Sequence, residues 1–200
     1  MSYFLRYTDN ENISAGSNVV TLKRRDLLPK EQLWEIQSGF VRVITWSDSG
    51  EVMPLGFGGA GSLVGGALAI SSPCEIQVLT PAVARQLTPS FPIPKVAFIH
   101  QTRQTTELLK ILYCRQVEER LLRFTCWLAH QYGQSTPEGI CLCFQLTHQE
   151  LADAIASTRV TVTRCLKQLE AEGYLKWSRA EKVVFHSALT LFVENTAQAS

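Results

Sequence analysis

Arg159, Thr161, Thr163, Arg164 and Lys167 fall within nine consecutive residues, and their types suit the base edges and backbone of a nucleic acid. A guanidinium donates two parallel hydrogen bonds to guanine O6 and N7, and threonine offers both a hydroxyl and a methyl group. Such side chains read bases only when a supported helix holds them in the major groove. The apolar residues Val162, Leu166 and Leu169 recur among them at helical spacing. The segment Thr158–Glu172 is therefore predicted to be a helix with one buried face and one basic face.

The neighbouring residues supply the support. Thr147 and Glu150 form a T-x-x-E capping box that starts a short helix carrying Leu151, Ala154 and Ile155 on one side. A break is expected at Ala156–Ser157, with Ser157 or Thr158 capping the second helix. Gly173 is well placed to end it as the C′ residue. Beyond it, Leu175–Trp177, a polar turn at Ser178–Glu181 and Val183–Phe185 alternate like a β-hairpin. Two helices and a hairpin make a winged helix, with Arg179 and Lys182 on the wing suited to phosphate. The plainer alternative is a helical hairpin whose basic face is merely solvated.

Composition bounds the rest. The 200 residues contain 19 Lys and Arg against 18 Asp and Glu, a formal net charge of +1, so this is not a polycation. Binding to DNA must rest on a local stripe, and residues 157–182 hold six basic residues against three glutamates. No apolar run has membrane-spanning length, and the first residues lack the layout of a signal peptide, which implies a cytoplasmic protein without a membrane partner. The six cysteines are scattered without metal-site spacing and read as small buried hydrophobes, Cys141 and Cys143 being close enough to share one face of a strand.

Residues 1–94 read as a β domain. Val19–Leu22, Gln32–Ile36, Phe40–Trp46 and Glu75–Leu79 are β-rich, and glycines from Gly39 to Gly66 mark corners, which suggests a small jelly-roll. No Gly-Lys-Ser/Thr follows the glycines, so they form no P-loop. The proline-rich stretch Thr88–Lys95 is a linker. From Val96 to Tyr132 there is no Pro or Gly, and one uninterrupted helix roughly 55 Å long is expected, stopped by Gly133. Helices of that length usually pair with another chain. It carries an eight-residue polar run, His100–Glu107, part of which must face whatever the helix packs on. A loop and a strand, Ile140–Leu146, then lead to the reader.

A β-roll, a long helix and a C-terminal winged helix together resemble the CRP/FNR family of bacterial transcription regulators. The resemblance is carried by Leu146–Ile155 and Ser157–Glu170, and in the roll by Leu33–Val43 and Gly61–Gly65. Ser157–Arg164, Leu112–Arg115 and Arg120–Leu121 look especially like the cyanobacterial nitrogen-regulator branch. The resemblance implies an α+β chain. Its parts are a double-stranded β-helix of the cyclic-nucleotide-binding kind (1–94), a dimerisation helix (95–133) and a winged helix-turn-helix (134–200). It implies that Arg159 and Arg164 read guanines, with Val160 and Thr163 also at the bases. Thr147, His148, Gln149, Thr158 and Thr161 then touch phosphates, and Lys167 joins them. Val160 stands where the cAMP-receptor branch has a glutamate, so half-sites of GTA…TAC type are expected.

The departures from the family are as informative. Its nucleotide pocket uses a Gly-Glu pair and an Arg-Ser pair, whereas Gly66 follows Gly65 here and Ser72 stands near the expected arginine. The 2-oxoglutarate residues of the nitrogen branch align with Ser72, Gln101 and Thr106. Neither cAMP nor 2-oxoglutarate is therefore expected, and no cofactor is assigned. No cysteine precedes Cys74, so an iron–sulfur cluster is not expected either. The turn glycine of the family's helix-turn-helix is Ala156 here, which costs about 1 kcal/mol if its backbone is left-handed.

The resulting expectation is a homodimeric regulator of transcription, an activator that contacts RNA polymerase and reads a palindrome in double-stranded DNA. Gln101, Arg103, Thr106 and Glu107 are expected to form a polar network across the dimer seam, a possible seat for an unnamed effector. No catalytic residue and no metal ligand is assigned. A cupin-type metalloenzyme needs clustered histidines, and none of His100, His130, His148 and His186 lies in the roll. The remaining alternative is a ligand-sensing or protein-interaction module with a degenerate DNA-binding domain.

Overall fold

The computed structural model describes residues 19–69 and 71–190. They fall into two units that divide between Leu108 and Leu109. The division falls inside the segment expected as a single helix over 95–133, so residues 95–108 group with the roll.

The first unit is the expected β-roll. Its strands are β1 (Val19–Leu22), β2 (Leu27–Leu28), β3 (Leu33–Ser38), β4 (Val41–Trp46), β5 (Val52–Gly58), β6 (Leu63–Gly65), β7 (Glu75–Val78) and β8 (Ala82–Gln86). They form two four-stranded sheets, ordered β1-β8-β3-β6 and β2-β7-β4-β5, with antiparallel pairing. Trp34, Ile36, Val41, Val43, Val64, Ile76, Val78 and Ala84 build one core cluster. β5 was not foreseen as a strand, because Pro54, Gly56 and Gly58 weaken the local preference. It forms because β4 supplies a ladder from Val41 to Trp46, with a register shift after Val43. Gly65 has φ +82°, and an added Cβ would lie 2.3 Å from the Gln32 carbonyl, so the close approach needs glycine.

The linker at 88–94 has no helix or strand, as expected, and is pinned by Phe91 and Ile93 against Leu33, Leu68 and Leu87. The long helix is not continuous. It is α1 (Lys95–Leu112) and α2 (Val117–Tyr132), separated at residues 113–116. No breaker causes this. α1 buries Gln104, Leu108 and Ile111, and α2 buries Leu121, Phe124 and Leu128. At roughly 100° per residue those two stripes would point in different directions on one straight helix. The interruption lets each face its own core.

In the second unit, α2 packs on α4 (Arg159–Ala171), which also contacts α3 (His148–Ala154). Strands β9 (Gln134–Ser135), β10 (Gly139–Cys141), β11 (Leu175–Trp177) and β12 (Lys182–Phe185) make a sheet ordered β11-β12-β10-β9. Gly133 ends α2 by close packing, since a Cβ there would meet Ile140 Cγ2 at 2.2 Å. β10 is shorter than the expected 140–146 strand. Its last ladder bond is Leu142 N–H to the Lys182 carbonyl (2.9 Å), beyond which the partner strand has turned away. Among the described residues no helix is long and apolar enough to cross a membrane.

Candidate nucleic-acid interface

The capping box forms in both directions. Glu150 N–H donates to Thr147 Oγ1 at 3.2 Å, and Thr147 N–H donates to the Glu150 carboxylate at 2.6 Å. The Thr147 hydroxyl accepts in that bond and keeps its own proton for an outside acceptor. α3 ends at Ala154 with Ile155 as its C-cap, and Ala156 takes φ +50°, which reverses the chain. Arg120 of α2 donates to the Ala156 carbonyl at 3.4 Å. A left-handed alanine is strained where glycine is not, so Ala156→Gly is expected to stabilise the fold by about 1 kcal/mol. A denaturation midpoint unchanged or lowered by the substitution would contradict this.

Thr158 caps α4, accepting from Thr161 N–H at 3.2 Å. The helix ends in a Schellman arrangement: Tyr174 N–H reaches the Leu169 carbonyl (3.0 Å) and Gly173 N–H reaches that of Glu170 (3.1 Å), with Gly173 at φ +74°. Between these caps, Val162, Cys165, Leu166 and Leu169 are buried. Arg159, Val160, Thr163, Arg164 and Lys167 line an open depression of about 460 Å³ on the helix's outer side. The three cations project from a face with no acidic residue in its first turn. Val160 is 79% exposed, an apolar surface suited to a thymine methyl.

Comparison with known proteins decides what this surface belongs to. The chain is 32% identical over 155 residues to the regulatory protein CysR of Synechococcus elongatus, covering 75% of each chain. The chain belongs to the CRP/FNR family. The family model for the Crp-like helix-turn-helix domain matches residues 119–188. The global nitrogen regulator of Synechocystis sp. is 38% identical over 88 residues, which is 44% of this chain and 39% of that one. Among solved structures, a CRP-family transcriptional regulator from Thermus thermophilus shares the fold with a TM-score of 0.69 at 20% identity, covering 89% of this chain and 96% of that one. The chain is thus a CRP/FNR-type transcription regulator with a helix-turn-helix DNA-binding domain, and not an enzyme.

With the family established, the remaining residues can be placed. Gln149, Thr158 and Arg179 are exposed, Thr161 is half-buried, and Glu170 accepts from Trp177 N–H at 2.7 Å, fastening the wing to α4. The wing turn closes with Ser178 N–H on the Glu181 carbonyl at 2.8 Å and leaves Arg179 at its tip. The expected phosphate contact at Lys182 is not what this residue does. It is 5% exposed, its Nζ donates to the Ser178 carbonyl at 2.9 Å, and it lies 5.9 Å from the Trp177 ring centroid. Burial lowers its pKa, and its aliphatic stem serves as packing.

His148 Nδ1 lies 2.8 Å from Thr163 Oγ1, which itself donates to the Arg159 carbonyl, so the ring must donate to Thr163. This bond ties α3 to the reading face. Burial, and then the Arg159 charge, lower the His148 pKa, with Glu170 opposing. The unfolded chain therefore takes up this proton first as pH falls below about 6.5. The contribution to stability is present above that pH and is lost as pH falls through the lower folded-state value. His148→Gln is expected to flatten this part of the stability–pH profile; an unchanged slope would refute the assignment.

The polar run of α1 divides between faces of the helix. Gln101, Arg103, Thr106 and Glu107 do not share one face. Gln101 Nε2 donates to the Leu55 carbonyl of β5 at 3.2 Å, and Thr105 Oγ1 donates to the same oxygen at 3.0 Å. Gln104, only 4% exposed, accepts from Phe57 N–H at 2.9 Å and donates to the Phe57 carbonyl at 3.0 Å. Sequence reasoning missed Gln104, although it required some polar residues to face the packing partner. Thr106 bonds its own helix at Thr102 O (2.9 Å), and Arg103 is exposed.

Proposed function

We propose that the chain acts as a homodimer on double-stranded DNA, reading a palindrome of GTA…TAC type half-sites through α4. The observation that carries the reading is the exposed row of Arg159, Arg164 and Lys167 beside exposed Val160, backed by a buried opposite face. In this reading Arg159 and Arg164 bond guanines, Val160 meets a thymine methyl and Thr163 completes the base contacts. Thr147, His148, Gln149, Thr158, Thr161, Lys167 and Arg179 hold phosphates and set the register.

The free face of α1 supports the dimer. Ile99 and Leu109 are about half exposed there, with Thr102 and Thr106 between them at 3-4-3 spacing. Both threonine hydroxyls already bond carbonyls of their own helix, so covering them orphans no polar group. The proposed regulator works in the cytoplasm as an activator that contacts RNA polymerase. Its reading includes neither cAMP nor 2-oxoglutarate. Gly66 and Ser72 carry no charge, and Gln101, in the place of the nitrogen branch's helix arginine, is committed to the Leu55 carbonyl.

Selection of random duplexes by the full chain at low salt is expected to enrich a palindrome whose half-sites lie about 34 Å apart. Light scattering should give twice the chain mass. Calorimetric titration with cAMP and with 2-oxoglutarate should give no heat. No enriched palindrome, or a monomer bound to single half-sites, would overturn the reading.

A further inference from the structure

The reading face carries a chain of hydrogen bonds whose proton order is fixed. Thr163 has one hydroxyl proton, which it donates to the Arg159 carbonyl one turn earlier at 2.9 Å. His148 Nδ1 lies 2.8 Å from the same hydroxyl oxygen, so the ring supplies the proton of that contact. Were Thr163 to donate to the ring instead, two oxygens would face each other at 2.9 Å with no proton between them. A neutral imidazole has a single N–H, and here it stands on Nδ1. Nε2 then holds a lone pair and can only accept.

That nitrogen has no partner among the described residues and is not sealed from solvent by them. A phosphate oxygen is likewise an acceptor, so the neutral ring cannot bond a phosphate through Nε2. The imidazolium can, because both of its nitrogens donate. The charges acting on the ring come from α4. Burial disfavours the imidazolium most, the Arg159 charge disfavours it further, and Glu170 favours it. On α3 itself, the Glu150 carboxylate accepts from Thr147 N–H, and Asp153 accepts from the Gln149 amide. The free chain therefore holds His148 neutral at pH 7, and an anion set against Nε2 reverses that balance.

We propose that Thr163 is a positioning residue that pins the His148 proton on Nδ1, so that His148 holds a DNA phosphate only as imidazolium and each half-site takes up one proton on binding. This deepens the reading given under Proposed function and rests on it for the phosphate; the place of the proton in the free chain does not. The phosphate raises the pKa of the ring in the complex. Affinity is flat above the bound-state pKa and rises as pH falls toward the free-state pKa, by at most about tenfold per pH unit for each half-site. Folding runs the other way, because the fold disfavours the proton that DNA invites.

Nitrogen NMR of the full chain without DNA at pH 8 reads the tautomer. His148 should carry its proton on Nδ1 in wild type and in Thr163→Ser, which keeps the hydroxyl. In Thr163→Val, which keeps the branched shape alone, the proton should be released to Nε2. A wild-type ring protonated on Nε2 overturns the proposal. Titrations of the selected duplex at constant ionic strength should show wild type and Thr163→Ser binding each half-site about tenfold more tightly at pH 6 than at pH 8. Thr163→Val, whose neutral ring can donate from Nε2, and His148→Gln, whose amide donates at any pH, should change less than about twofold. A merely structural role for Thr163 would lower affinity alike at both pH values and keep the slope. Wild-type affinity equal at pH 6 and pH 8, or a slope retained in Thr163→Val, overturns the proposal and leaves the DNA reading standing. A chain that binds no duplex at either pH defeats the DNA reading and the proton coupling with it.

Discussion

Arg164→Ala lowers affinity for each half-site by about 1–3 kcal/mol, roughly 5- to 150-fold, and flattens base preference at one position. Arg164 is exposed on α4, one turn beyond the capped start, with Cys165 and Leu166 buried behind it. The backbone that presents it is held at both ends, so truncation removes the fork and leaves its support. The proposed dimer carries the loss twice, and the proposed palindrome should show both. Arg164→Lys is the sharper comparison. It keeps the charge and so the salt dependence, but it loses the bidentate geometry that selects guanine. Lys167→Ala should do the reverse, weakening all sequences alike. Selections with the three variants separate these roles. If Arg164→Ala recovers the wild-type base preferences, the reading frame assigned to α4 is wrong.

The reader was legible because its determinants are local. Thr147 with Glu150, Thr158 and Gly173 each act within one turn of chain, and each makes the bond its type and spacing implied. What could not be read depends on contacts distant in sequence. Nothing near Tyr113–Gln116 breaks a helix; only the mismatch in direction between the apolar stripes of α1 and α2 foretells the interruption. Lys182 has the composition of a phosphate contact, yet the Trp177 ring and the Ser178 carbonyl claim it from within the hairpin. β5 carries glycines and a proline that disguise a strand held by β4. Some of the eight polar residues from His100 to Glu107 had to face a partner, but no local signal singles out Gln104 or reveals that its partner is the backbone of residue 57.

Gln104→Ala should therefore be among the most damaging single changes in the roll. β5 stands at the edge of its sheet, and β4 satisfies only one side of it. On the other side Gln104 meets both the N–H and the carbonyl of Phe57, as a neighbouring strand would. Truncation leaves a buried donor and a buried acceptor unpaired, at about 1–3 kcal/mol each. A loss of roughly 2–6 kcal/mol follows, a large share of the stability of a domain this size. Gln101→Ala is the control. The Leu55 carbonyl it bonds also accepts from Thr105, so one donor survives, and the expected cost is under about 1 kcal/mol. Denaturant titrations, with Trp34 reporting from the roll core, compare the two directly. The consequence reaches the proposed dimer as well. Docking by Gln101, Gln104 and Thr105 decides which side of α1 carries Ile99, Thr102, Thr106 and Leu109 outward. A Gln104→Ala chain that is still folded at low temperature should dimerise more weakly than wild type. If its stability and its self-association both match those of Gln101→Ala, the glutamine–strand contact does not set the pose of the helix.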